Sequence, residues 1–123
     1  MGFDEFQYKT ILKPTLLSVE NNEKIIKFSI GPEYALLIDR ENQVHFFGKN
    51  RFGQFGVDGD EIADDKEDAV YKPKIQPYFK ENNIKIIGIG AQIATALFID
   101  EYGNAYSCGL NFHGIILFYI YII

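Results

Sequence analysis

The chain has 123 residues, room for one domain but not for two comfortable ones. Its composition, 47% hydrophobic and 24% charged, excludes a disordered chain, and 12 basic against 17 acidic residues (net −5) argue against a grip on phosphate backbones, so no direct nucleic-acid partner is expected. The single cysteine, Cys108, excludes an internal disulfide framework and a Cys-rich zinc site, while 11 Phe and 8 Tyr with many Ile favour strands over helices.

Residues 1–12 form an N-terminal segment. Met1 to Phe6 is acidic and lacks the apolar stretch of a secretory signal. Gly2 does not make a myristoylation site, because Phe6 stands where Ser or Thr is needed. With the lone cysteine, this predicts an intracellular chain, cytoplasmic or nuclear. The only long apolar run, Ile115 to Ile123, has nine residues. That is about half of the ~20 a spanning helix needs, so no membrane span is expected.

From residue 20 onward the chain repeats itself. Shifted by 61 residues, positions 20–53 fall on 81–114 with 13 of 34 identical and no gap. Glu20-Asn21-Asn22 matches Glu81-Asn82-Asn83, Lys24-Ile25-Ile26 matches Lys85-Ile86-Ile87, and Gly48, Asn50 and Gly53 match Gly109, Asn111 and Gly114. Such a period marks a repeat architecture. Each copy reads as three short strands. In the first, Ile26, Phe28 and Ile30 alternate with Lys27 and Ser29, which predicts a strand with its apolar side buried. Ile87, Ile89 and Ala91 repeat the pattern. The second strand is a continuous apolar run, Tyr34 to Ile38 or Thr95 to Ile99, suited to burial on both faces. A four-residue polar turn follows, Asp39 to Asn42 or Asp100 to Gly103. Asn42 and Gly103 share a place, and both residue types tolerate positive φ. Val44 to Phe47, or Ala105 to Cys108, is the third strand. A further extended segment is expected before each copy, after Pro14 and after Pro73. Four antiparallel strands in about 60 residues suit a β-propeller blade, and one blade needs neighbours to cover its faces.

The loop after the third strand, Phe47-Gly48-Lys49-Asn50-Arg51-Phe52-Gly53-Gln54-Phe55-Gly56, resembles the repeat of the regulator of chromosome condensation family, roughly Trp-Gly-x-Asn-x-x-Gly-Gln-Leu-Gly. Gly48, Asn50, Gly53, Gln54 and Gly56 match. Phe47 stands for the Trp and Phe55 for the Leu. Gly31 to Asp39 looks like that family's Gly-x-x-His-Ser-x-x-Leu stretch, with Tyr34 for His, and Gly90, Gly109, Asn111 and Gly114 belong to the second copy. The second copy departs after Gly114, where Ile115 replaces Gln. The resemblance implies an all-β fold of antiparallel four-stranded blades, here about two blades of an open, incomplete propeller. The two repeats cover about 13–56 and 72–114 and are joined by loop 57–71, with an anomalous apolar tail at 115–123. The tail reads as an interrupted reading frame or unspliced sequence, or else as a last strand.

Other patterns point to structure. Gly88-Ile89-Gly90 lacks the third glycine of a dinucleotide loop, and Gly48-Lys49-Asn50 lacks the Ser or Thr of a phosphate loop. In the acidic loop, Ile62 and Ala63 spoil the alternation a calcium site needs. Asp58, Asp60, Glu61, Asp64, Asp65, Glu67 and Asp68 are therefore a solvated connection or a contact for a basic partner. His45 is expected as a strand residue, His113 as a turn residue and Cys108 as a small packing residue. No catalytic, metal or cofactor-binding residues are assigned. The resemblance implies a non-catalytic protein-interaction module, with a protein partner that in a longer relative is a small GTPase. The alternatives are a guanine-nucleotide exchange factor, or the repeat portion of a larger ubiquitin ligase or kinase.

Overall fold

The structure, a computed structural model, describes residues 13–57, 64 and 69–110. Strands β1 (Ile25–Ile30), β2 (Tyr34–Asp39), β3 (Val44–Lys49) and β4 (Ala69–Ile75) form one antiparallel sheet in sequential order. After a short helix, α1 (Pro77–Glu81), strands β5 (Ile86–Ala91), β6 (Thr95–Asp100) and β7 (Ala105–Gly109) form a second. The result is mostly antiparallel strand in two open sheets, the arrangement of an incomplete β-propeller.

The 61-residue period recurs as hydrogen bonds. Arg40 N donates to Lys24 O at 2.9 Å, and Glu101 N to Lys85 O at 3.0 Å. Lys49 N donates to Glu33 O, and Leu110 N to Ala94 O, both at 2.9 Å. A register shift falls between Ile25 and Lys27 in one sheet and between Ile86 and Gly88 in the other. The hairpin turns agree as well. Asn42 and Gly103 have φ of 61° and 85°, the left-handed region their residue types suit.

Opposed residues on paired strands share a face of the sheet. In the first sheet Leu36 pairs with Phe46 and Ile38 with Val44. These four are buried in one core with Ile86, Ala96 and Phe98 of the second sheet. β5 lies against β1 and β2. Helix α1 enters this layer because Pro77 starts it and the Gln76 side chain caps it, accepting from Phe79 N at 3.0 Å. The buried Phe79 ring stands edge-on to Phe98 and Tyr106, with centroids 5.0 and 5.3 Å away.

Polar groups stitch the same layer. Tyr34 Oη donates to Thr95 O at 2.7 Å and accepts from Gln92 N at 3.1 Å. Lys27 Nζ donates to Ile87 O at 2.6 Å, and Ser29 Oγ accepts from Ala91 N at 2.9 Å. Asn42 and Ile86 exchange two further bonds.

Three expectations change. The side of β1 turned to the second sheet is the polar one, Lys27 and Ser29; Phe28 and Ile30 remain 70% and 67% exposed and Ile26 51%. Alternation correctly separated the two sides, but the sheet that packs on β1 lies on the other one. Second, β2 is buried on both faces, whereas β6 is buried on one, with Leu97 half-buried and Ile99 exposed. Third, the strand sought after Pro73 spans Ala69–Ile75 and pairs with β3, and the chain beyond it turns helical at Pro77. Pro73 is tolerated there because β4 is an edge strand, where a missing N–H is not needed. Residues 13–19 form no strand.

Replacing Tyr34 with Phe should remove the phenol bridge, while Gln92 N–H keeps its bond to Thr95 O at 3.0 Å. Urea denaturation should show a loss of about 0.5–1.5 kcal/mol with the fold intact.

Candidate functional site

The repeat loop begins at Gly48, whose φ of 102° brings it against the backbone of the preceding turn. A Cβ there would collide with Glu33 O and stand 2.6 Å from Tyr34 Cα. Gly109, with φ of 115°, meets Ala94 O in the same way one period later. Asn50, 3% exposed, then organises the loop: its Oδ1 accepts from Phe55 N and its Nδ2 donates to Val57 O, both at 3.0 Å. Gln54 Oε1 accepts from Phe52 N at 3.0 Å. Gly53 and Gly56 take φ of 68° and 71°. The loop thereby drops Phe55 into the core, fully buried, stacked 4.4 Å from Phe46 and edge-on to Tyr34 at 5.7 Å.

Gln76 ties this loop to the next element. Its Nε2 donates to Phe55 O at 3.2 Å while its Oε1 caps helix α1. Gly56 also faces the second sheet, where a Cβ would lie 3.1 Å from Cys108 Sγ. Burial pushes the Cys108 thiol up from 9.0 to about 11, so it is a packing group.

The hairpin aspartates form a second repeated device. Asp39 Oδ1 accepts from Glu41 N and Gln43 N, each at 2.9 Å. Asp100 Oδ1 accepts from Tyr102 N at 2.9 Å and Asn104 N at 2.8 Å. The other oxygen takes the residue one strand on. Asp39 Oδ2 accepts from buried His45 Nε2 at 2.7 Å; Asp100 Oδ2 accepts from Tyr106 Oη at 3.1 Å and Asn104 Nδ2 at 2.9 Å. Burial raises the Asp100 pKa, but the bonds from Asn104, Tyr106 and Tyr102 outweigh it and hold the carboxyl below its ordinary range. His45 is thus the partner of a turn aspartate, in the place Tyr106 fills in the other copy.

Of the residues singled out by sequence, Gly48, Asn50, Gly53, Gln54 and Gly56 come together in the first loop. Gly31 abuts the β5–β6 turn, where a Cβ would stand 2.7 Å from Gln92 O. Gly90 lies in β5 facing open space, away from any loop. Asp64 accepts from Tyr71 N at 2.8 Å and Lys74 Nζ at 3.1 Å, so it fastens the acidic loop to β4. Asn111, His113, Gly114, the tail 115–123, Asp58, Asp60, Glu61, Asp65, Glu67 and Asp68 lie outside the described residues. Sequence reasoning missed Gln76, the two turn aspartates and the Tyr34 bridge. The aspartates had a signal, since both copies keep them; a lone Gln before Pro77 had only its position as a helix cap.

Among the described residues no group of three or more His, Cys, Asp or Glu could hold a metal ion, and no helix is long and apolar enough to cross a membrane. What the two sheets offer outward is loop tips, with Arg51 and Phe52 beside the first and Ile93, 78% exposed, beside the second, together with the apolar side of β1.

Against the profiles of known protein families the sequence has no match. It is 29% identical over 119 residues to an RCC1 domain-containing protein of Dictyostelium discoideum, covering 86% of this chain and 23% of that protein. It is 27% identical over 93 residues to the human X-linked retinitis pigmentosa GTPase regulator, covering 76% of this chain and 8% of that one. The chain thus spans less than a quarter of either relative. Among solved structures, human WBSCR16 matches with a TM-score of 0.69 over 85% of this chain and 25% of its own, at 13% identity, a likeness of fold alone. Yeast RCC1 (Prp20) bound to Kap60 matches with a TM-score of 0.54 at 30% identity, over 69% of this chain and 18% of that one. The chain is therefore distantly related to RCC1-type proteins.

Asn50→Ala should cost about 1–3 kcal/mol by stranding the buried Phe55 N–H and the half-buried Val57 carbonyl, and Phe55→Ala about 3–5 kcal/mol by emptying the core, both read from denaturant midpoints. Cys108 should react slowly with iodoacetamide near pH 8 and rapidly once unfolded. Its raised pKa also stabilises the fold fully below pH 9, and that contribution should fade as pH rises from 9 to about 11.

Proposed function

We propose that this chain is a non-catalytic protein-interaction module, two neighbouring blades of an RCC1-type propeller that forms part of a longer protein. One observation carries the reading. The buried polar side chains among the described residues, Asp39, His45, Asn50, Gln54, Gln76 and Asp100, each hold a turn or loop, and only the Nδ1 of His45 is buried there without a partner. None converges on a cleft where a reacting group could sit, and the rigid scaffold they build presents loop tips outward. Loops on a rigid scaffold are where binding residues concentrate.

The partner in this reading is a protein, and a small GTPase for the longer relatives. Support comes from the human relative named a GTPase regulator, and from the structure of yeast Prp20p described with its binding to Gsp1p and histones, which matches at 24% identity with a TM-score of 0.53. The acidic residues Asp58, Asp60, Glu61, Asp65, Glu67 and Asp68 steer a basic partner, since complementary charge raises association rate more than affinity. An intracellular setting, cytoplasmic or nuclear, accords with this partner. The GTPase-regulator relative also favours a second reading, nucleotide exchange. Stable interfaces bury roughly 1,200–2,000 Å² in total, and two blades supply only part of such a ring surface.

The experiment is release of labelled guanine nucleotide from a panel of small GTPases. The expected result is salt-sensitive binding with no acceleration of release. Accelerated release at micromolar chain, abolished by Arg51→Ala with Phe52→Ala, would establish the exchange reading instead; binding indifferent to salt would remove the role given to the acidic loop.

A further inference from the structure

We draw no further inference here: the strongest candidate, the exposed apolar side of β1 formed by Phe28 and Ile30, carries nothing because nothing in the structure shows what covers it.

Discussion

A β-sheet that is apolar on both sides has to be covered twice, and two sheets in contact cover each other only once. Most of the architecture follows from that constraint. The first sheet meets the second through Leu36, Ile38, Val44 and Phe46, which share one continuous core with Ile86, Ala96 and Phe98. Strand β2, in the middle of its sheet, is buried throughout, while the sides turned away from the shared layer keep Phe28, Ile30 and Ile99 in water. Exposure of such residues costs about 1.5–3 kcal/mol each relative to burial, which is why units of this kind occur in series.

Within the shared layer the two copies use one backbone plan with different side chains. Hydrogen bonds at hairpin, turn and loop recur at the same spacing, because they belong to main-chain groups and to an aspartate that both copies hold. The groups that cross between sheets have no such duplicates. Tyr34 bridges to Thr95, its own counterpart one period later, and Thr95 instead bonds Leu110 O at 3.1 Å. His45 and Tyr106 satisfy equivalent carboxylates with different chemistry. Local structure repeats because it is solved locally; the contact layer does not, because each sheet has a different neighbour.

That distinction governs what the amino-acid sequence made legible. Strand positions, the positive-φ places at Asn42 and Gly103 and the glycine-rich loop could be read directly, since periodicity and turn chemistry act over a few residues. The side of β1 that is covered could not. Alternation sorts Ile26, Phe28 and Ile30 from Lys27 and Ser29, but the choice of side belongs to a neighbour some 60 residues away. The pairing of β4 with β3 is likewise set at long range, across the acidic loop. For the candidate site, the glycines and Asn50 announced the loop, while Gln76, which locks it to the helix, carried no local pattern beyond a place before proline.

Strand β4 has a consequence for how such a chain is made. It follows β3 only after the acidic loop, and it completes the sheet of the first copy. During synthesis the first sheet stays one strand short until the ribosome has passed residue 75. Until then β3 is an open edge, and any extended segment that reaches it first competes for its backbone groups.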